Sequence, residues 1–118
     1  MERVGEFKPD NLVGGDFDIV TSEVTLQPGT YQRGAVIAKD SSGKYVLLDL
    51  AEHNADPKTH TLHGILSQDI TLAAEGVATI YLTGQFCKSE VFLVGGAAVD
   101  AALIEQGRLL SIFFVDAI

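Results

Sequence analysis

A chain of 118 residues is long enough to bury one hydrophobic core and short for two, so the sequence predicts a single core. The formal net charge of -8 at pH 7 argues against binding to bare DNA, because that contact needs lysines and arginines to displace counterions from the phosphates. Hydrophobic residues make up 47% of the chain and 12 residues are glycine, a composition that favours strands and turns.

Residues 1–17 are predicted to form a flexible N-terminal arm that precedes a β-rich domain at residues 18–118. The arm contains Pro9, and its apolar residues are isolated from one another: Phe7, Leu12, Val13 and Phe17. It has no apolar run typical of an export signal, so we expect synthesis in the cytoplasm. No stretch approaches the roughly 18 apolar residues that span a bilayer. The single Cys87 cannot form a disulfide within the chain.

The sequence from residue 18 to residue 63 indicates strands, turns and one long loop. Alternation with a period of two predicts a half-buried strand whose inner face carries Val20, Ser22, Val24 and Leu26. Pro28 and Gly29 then favour a type II turn. Residues 35–38 are predicted to form a short buried strand, and residues 45–48 its hairpin partner. Residues 49–63 show no sustained period and are predicted to be a surface loop.

Three further strands are predicted before the C-terminal region. Residues 64–67 form a brief one. The clearest alternation in the chain places Ala78, Ile80 and Leu82 on the buried face of the second strand, which Gly84 is predicted to end. Residues 91–94 are predicted to be a short apolar strand.

The C-terminal region predicts one helix and one strand. Val99, Ala102 and Leu103 have helical spacing, and Gly107 is the predicted C-terminal cap. Residues 109–115 predict a final strand that is covered on both faces. The predicted fold class is therefore α/β, mainly β: a small single domain of short strands with one short helix near the C-terminus.

Three histidines and an aspartate, residue types that can bind a metal, lie within eleven positions: His53, Asp56, His60 and His63. Because no helix is predicted to hold them together and Pro57 interrupts the stretch, solvated loop residues are the simpler interpretation, and no metal site is predicted. Protonation of the histidines near pH 6 would still change the local charge.

Other catalytic patterns are weaker. Cys87 would be a nucleophile only beside a base, for which His63 is the one candidate by type, and a buried unreactive thiol is commoner. Gly95 and Gly96 before a helix resemble a phosphate-binding turn, but neither common phosphate-loop motif is present and Asp100 adds negative charge there. Five glutamates have no recognisable catalytic context: Glu23, Glu52, Glu75, Glu90 and Glu105. We predict no enzymatic activity and no cofactor.

Several stretches in a fixed order carry a resemblance to a known family. They are residues 25–37 with their Pro-Gly turn, residues 43–48, and residues 81–86 followed by the helix at 101–107 and the hydrophobic C-terminal strand. In this order they resemble the head decoration proteins of tailed bacteriophages, the family of the lambda head protein D. The resemblance covers about residues 21–118 and rests on the order of the elements.

The resemblance implies a structural cement protein of the virion. Members of the family are homotrimers on the outer surface of the expanded capsid head, where they bind the major capsid protein and stabilise the head against packaged DNA. They contact neither nucleic acid nor membrane. The family's N-terminal arm becomes ordered against the capsid, and the corresponding capsid-binding residues here are Phe7, Pro9, Leu12, Val13 and Phe17. An arm that extends by about 3.3 Å per residue could add a strand to an open sheet edge of the shell.

Two alternatives stay open. The turn and short strands of residues 29–38 have a spacing similar to that of biotinyl or lipoyl carrier domains. However, no lysine lies in the motif expected at the hairpin tip, and Lys44 is a loop lysine. A small trimeric enzyme with its site between subunits would account for the histidines.

Overall fold

Nine short strands and two helices form in the part of the chain that the computed structural model describes, residues 19–55 and 57–115. The strands are β1 Thr21–Leu26, β2 Gly29–Tyr31, β3 Val36–Asp40, β4 Tyr45–Leu47, β5 His60–Leu66, β6 Ile70–Leu72, β7 Gly76–Tyr81, β8 Gly84–Cys87 and β9 Ile112–Val115. The helices are α1 Leu50–His53 and α2 Ala101–Leu110. The predicted mainly β class with a short helix near the C-terminus is confirmed. The predicted arm at residues 1–17 lies outside the described residues.

Five of the strands close into a barrel in the order β1-β4-β3-β5-β7. β1 and β7 pair antiparallel over six residues, from Thr21 opposite Tyr81 to Leu26 opposite Gly76. β1 also meets β4 in parallel, where Leu26 lies opposite Tyr45. The predicted hairpin is present, because β3 and β4 pair antiparallel. β2 with β6 and β8 with β9 form two separate two-stranded sheets. Neither described helix is long and apolar enough to cross a membrane.

The alternation predicted for β1 and β7 is present in the structure. Val24 and Leu26 are buried opposite the buried Ala78 and the glycine at the start of β7, while the residues between them are exposed. The two ends of the pattern differ from the prediction: Val20 is 50% exposed, and Leu82 lies beyond the end of β7 and is only half-buried. Gly84 begins β8 instead of ending the preceding strand.

Two hydrophobic clusters replace the single predicted core, and they share β3 and β5. Ile37 and Leu66 belong to one cluster together with the buried residues of β1 and β7. The neighbouring Val36 and Ile65 belong to the other, which contains Phe86 of β8 and residues of α2 and β9. Alternate side chains of a strand point to opposite faces, so β3 and β5 separate the clusters and are covered on both faces.

The prediction of a surface loop at residues 49–63 is wrong. Asp49 caps α1 by accepting a hydrogen bond from the Ala51 N–H at 3.0 Å, and β5 begins at His60 and pairs with β3. A helix of four residues is too short to show a period, and in the first half of β5 only Leu62 is buried, among exposed or half-buried polar residues. The predicted brief strand at residues 64–67 is thus the second half of a longer one.

Two smaller predictions are also corrected. Residues 91–94 form no strand in the described structure; they contribute one parallel bridge between Phe92 and Ala35 before a 3-10 turn at Val94–Gly96. Gly29 has φ of +151° and starts β2, whereas a type II turn needs about +80° at this position.

The C-terminal part of α2 and the strand β9 approach each other closely at Gly107. The helix does not end there but continues to Leu110, and Ser111 caps it in the left-handed conformation with φ of 64°. The predicted strand at residues 109–115 accordingly begins only at Ile112. A Cβ added at Gly107 would overlap the Ile112 carbonyl oxygen and lie 3.1 Å from the Phe114 ring. Glycine is therefore needed here so that β9 can fold back against the helix.

We expect Gly107→Ala to destabilise the protein by about 1–3 kcal/mol, because the added methyl group meets backbone that cannot move without shifting β9. Helix propensity alone would predict the opposite, a gain of about 1 kcal/mol. The measurement is urea unfolding. Ala102→Gly, at an exposed position of the same helix, is the matched control and should cost about 1 kcal/mol. A more stable Gly107→Ala variant would contradict the close packing of α2 on β9.

Candidate interaction surfaces

A buried histidine lies at the end of α1. His53 is 1% exposed, and Lys58 donates to its carbonyl oxygen at 2.5 Å while lying 3.5 Å from its Nε2. The other ring nitrogen, Nδ1, lies 3.4 Å from the Asn54 side-chain oxygen. With a lysine ammonium beside Nε2, the consistent tautomer carries its proton on Nδ1 and leaves Nε2 as an acceptor.

These contacts connect α1 to α2. The Asn54 amide donates to an Asp100 carboxylate oxygen at 2.9 Å, and the other Asp100 oxygen accepts from the Leu103 N–H, also at 2.9 Å, at the first turn of α2. Burial raises the pKa of Asp100, but the hydrogen bonds from Asn54 and Leu103 lower it more, so the net shift is downward. The carboxylate therefore stays charged as the N-terminal cap of α2.

The three histidines have different partners, so the structure does not gather them into one site. His60 Nδ1 accepts a hydrogen bond from the Asp49 N–H at 3.1 Å, and the His63 ring lies 4.8 Å from the Tyr45 ring. Asp56 is outside the described residues. Among the described residues, no group of three or more histidine, cysteine or acidic side chains could hold a metal ion.

Acid should destabilise the fold through two of these histidines. Burial lowers the pKa of both His53 and His63, and the positive charges of Lys58 and Lys39 lower them further. As the pH falls below about 6.5, the unfolded state binds protons that the folded state does not. The free energy of unfolding therefore decreases until the pH reaches the lowered pKa values of the folded state. Urea midpoints should therefore be lower at pH 5 than at pH 7.5.

The matched variants for this pH effect are His53→Gln and His63→Gln. Each should flatten part of the dependence between pH 7.5 and pH 5, and the double variant should flatten most of it. A wild-type protein with equal midpoints at both pH values would contradict the effect.

Cys87 is a core thiol. It is 3% exposed and lies in β8 opposite Val115 of β9. Burial and the nearby Glu90 charge raise its pKa, which disfavours the thiolate that a nucleophile requires. The proposed base, His63, lies on β5 against Tyr45.

The glutamates lie on separate elements. Three of them bond to nearby surface groups: Glu75 to the Gln27 amide at 2.9 Å, Glu105 to Arg108 at 3.4 Å, and Glu52 to the Thr59 hydroxyl. The sequence predicts no catalytic pair among the five glutamates, and these contacts give three of them structural partners.

The glycine pair before α2, which resembles a phosphate-binding turn, and Lys44, considered for the carrier-domain alternative, both lie in turns with structural roles. Gly95 and Gly96 both have φ of 72° in a 3-10 turn, and the helix start that follows is occupied by the protein's own Asp100 carboxylate. Lys44 follows the turn between β3 and β4, where an Asp40 oxygen accepts from the backbone N–H groups of Ser42 and Lys44. The carrier-domain alternative remains a prediction.

A groove of about 290 Å³ lies where β2 faces the segment between β8 and α2. Hydrogen bonds from the Phe92 N–H to Gly34 at 3.0 Å and from the Val36 N–H to Phe92 at 2.9 Å hold this segment in place. Phe92 is 41% exposed. None of the lining residues is charged: Thr30, Tyr31, Gln32, Ala35, Leu47, Phe92, Leu93 and Gly96.

A second apolar surface lies at the end of α2, and we call it the α2-end patch: Leu109, Leu110, Ile19 and Val20. Leu109 is 81% exposed and Leu110 38%, and Ile19 and Val20 are 37% and 50% exposed. Two backbone contacts bring the parts together, because the Leu82 N–H donates to Val20 and the Gly84 N–H to Ser111, which follows Leu110. Val20 and the end of α2 therefore both contact the same short stretch, residues 82–84.

The predicted capsid-binding residues Phe7, Pro9, Leu12, Val13 and Phe17 lie outside the described residues, and the structure does not place them. Sequence analysis missed both apolar surfaces. The sequence predicts a short apolar strand at Phe92 and a strand covered on both faces at Leu109, and no local pattern distinguishes an exposed apolar residue from a buried one.

A comparison with models of protein families finds no match, and a comparison with curated proteins finds none either.

Proposed function

We propose that this protein is a capsid decoration protein, which binds as a homotrimer to the major capsid protein on the outer surface of the expanded phage head. The observation that carries the proposal is the order of elements on which the resemblance rests. The β3–β4 hairpin, the strands β7 and β8 that meet within residues 81–86, the helix α2 and the hydrophobic strand β9 follow one another in that order.

The surface of the body supports the same proposal. The α2-end patch consists of exposed apolar residues. An apolar surface rimmed by polar residues is typical of a protein-protein interface. The net charge of -8 fits a position outside the shell better than contact with the packaged DNA.

The stabilising effect follows from linkage. A protein that binds the expanded lattice and not the precursor stabilises the expanded state by about 2.7 kcal/mol per site at a free concentration a hundredfold above Kd. Three arms on one trimer add avidity, provided that the shell presents their sites at the right spacing. Repeated over the shell, these terms oppose the pressure of packaged DNA.

The test is co-sedimentation of the full-length protein with expanded and precursor shells of the cognate major capsid protein. We expect saturable binding to expanded shells, in multiples of three copies, and little binding to precursor shells. Bound protein should also raise the temperature at which expanded shells break. Absence of binding to expanded shells at micromolar concentrations, or equal binding to both shells, would overturn the proposal. Intact mass spectrometry tests the carrier alternative, because an attached cofactor adds to the mass of the chain.

A further inference from the structure

We propose that His53 is a local pH switch: a proton added to its Nε2 releases Lys58 from the ring and leaves the Asn54–Asp100 bridge to α2 in place. The switch rests on the direction of the hydrogen bonds around the ring and on the charges that face it. It goes beyond the proposed function and does not depend on shell binding.

The hydrogen bonds around His53 all run in one direction. The Lys58 ammonium has only donors, so Nε2 of the neutral ring is its acceptor at 3.5 Å. On the other side of the ring, the Nδ1–H faces the Asn54 side-chain oxygen at 3.4 Å. The Asn54 amide donates to Asp100 at 2.9 Å, and Asp100 accepts from the Leu103 N–H. A chain of donors therefore runs from the lysine through the ring to the first turn of α2.

A proton on Nε2 reverses only the lysine end of this chain. The imidazolium donates from both nitrogens, so Nε2–H and the Lys58 ammonium become two donors and two positive charges 3.5 Å apart. Lys58 is exposed and is free to turn into solvent, whereas His53 is enclosed at 1% exposure. The lysine is therefore the partner that leaves, and its bond to the His53 carbonyl oxygen is lost with it.

The α2 end of the chain keeps its contacts when the ring is protonated. Nδ1 carries a proton in both states, so its contact with the Asn54 oxygen does not change direction. The Asp100 carboxylate attracts the imidazolium. Burial raises the pKa of Asp100, but its hydrogen bonds from Asn54 and Leu103 lower that pKa more, so the carboxylate stays charged. The bridge between α1 and α2 is therefore expected to persist through the titration of His53.

Titratable groups face the ring from three parts of the fold. Burial is the largest cause that lowers the pKa of His53, and the hydrogen bond with Asn54 opposes it. The Lys58 charge lowers this pKa, the Asp100 charge raises it, and His60 of β5 lowers it. When Lys58 leaves, one of the opposing charges is removed. Protonation and release therefore favour each other, as linked equilibria require.

The switch concentrates positive charge at one place on an acidic protein. When His53 is protonated, the imidazolium and the freed Lys58 ammonium lie at the end of α1, in a chain whose formal net charge is -8. Protonation of a buried histidine that rearranges its neighbours is an established kind of pH sensor. Here the change is limited to the lysine end, because the α2 end is held by separate hydrogen bonds.

Nuclear magnetic resonance tests the switch at both ends. At pH 7.5 the ¹⁵N shifts of His53 should show a protonated Nδ1 and an unprotonated Nε2. The Thr59 N–H, which donates to the Glu52 carbonyl oxygen beside Lys58, reports on the lysine end. The Leu103 N–H reports on the α2 end.

Hydrogen exchange, corrected for the intrinsic effect of pH, should follow the titration of His53 at only one of these amides. As His53 is protonated, Thr59 should lose protection by about tenfold, while Leu103 should stay within about twofold. Equal losses at Thr59 and Leu103, or no loss at Thr59 once His53 is protonated, would overturn the switch.

Lys58→Met keeps most of the length of the side chain and removes its charge. It should raise the pKa of His53 and make the protection of the Thr59 N–H independent of His53 protonation. Lys39→Met is the matched control, because burial and then the Lys39 charge lower the pKa of His63. It should raise the pKa of His63 and leave that of His53 unchanged. An unchanged His53 pKa in Lys58→Met would overturn the switch.

Asp100→Asn examines the other end of the chain. Asparagine also caps helices well, so α2 should still form. Loss of the negative charge should lower the pKa of His53, opposite in sign to the effect of Lys58→Met. An unchanged or higher His53 pKa in Asp100→Asn would overturn the switch, because the bridge to α2 would then not hold the protonated ring.

Discussion

Deleting residues 1–15 should weaken binding to expanded shells by on the order of 100-fold, while the melting temperature and the oligomeric state stay nearly unchanged. All the residues that the structure describes in the two hydrophobic clusters lie between Val24 and Phe114. The deletion also spares Val20, whose carbonyl oxygen accepts from the Leu82 N–H and whose N–H donates to the Thr83 hydroxyl. Each trimer of the proposed function would lose three attachment points at once, and the loss of avidity makes the expected effect large.

Two variants distinguish the contribution of the apolar side chains to shell binding from the contribution of the segment's length. Replacing Phe7, Leu12, Val13 and Phe17 with serine keeps the length and should reproduce most of the loss. Deleting only residues 1–5 removes none of these side chains and should leave binding close to that of the intact protein. The measurement is co-sedimentation with expanded shells, paired with thermal unfolding of the free protein. If the protein without residues 1–15 decorates shells as well as the intact one does, the folded body must carry the interaction.

Ile80→Ala should destabilise the protein by about 2–5 kcal/mol, because Ile80 is fully buried in the cluster shared by β1, β3, β5 and β7. Leu82→Ala should cost less, since Leu82 is half-buried beyond the end of β7. Thr79→Ala, one position from Ile80 on the opposite face, is the matched control and should cost least. Urea unfolding measures all three. Equal losses for Ile80→Ala and Thr79→Ala would show that the register of β7 is wrong.

The predictions from sequence succeeded where one face of an element is buried and the other is exposed. β1 and β7 are such strands, and their period of two is visible without any knowledge of their partners. The β3–β4 hairpin was predicted from two short apolar runs and the polar loop between them. The helix α2 was found from its spacing, although its end was misplaced by three residues.

The predictions failed where distant residues determine the local structure. Gly107 is a typical helix cap by type, but here it lies inside α2 because β9 packs on it. His53 was expected in a solvated loop and is buried, because Lys58 and Asn54 satisfy its polar atoms. The candidate interaction surfaces could not be predicted either, since the exposure of Phe92 and Leu109 depends on which elements cover them.

The sequence alone therefore determined the mainly β class, the alternating strands and the position of the one long helix. These features depend on period and turn chemistry within a few neighbouring residues. Only the tertiary structure decided that β3 and β5 separate two clusters, that the histidines have different partners, and that Phe92 and Leu109 are exposed. These features depend on contacts between residues far apart in the chain, which local patterns of hydrophobicity do not specify.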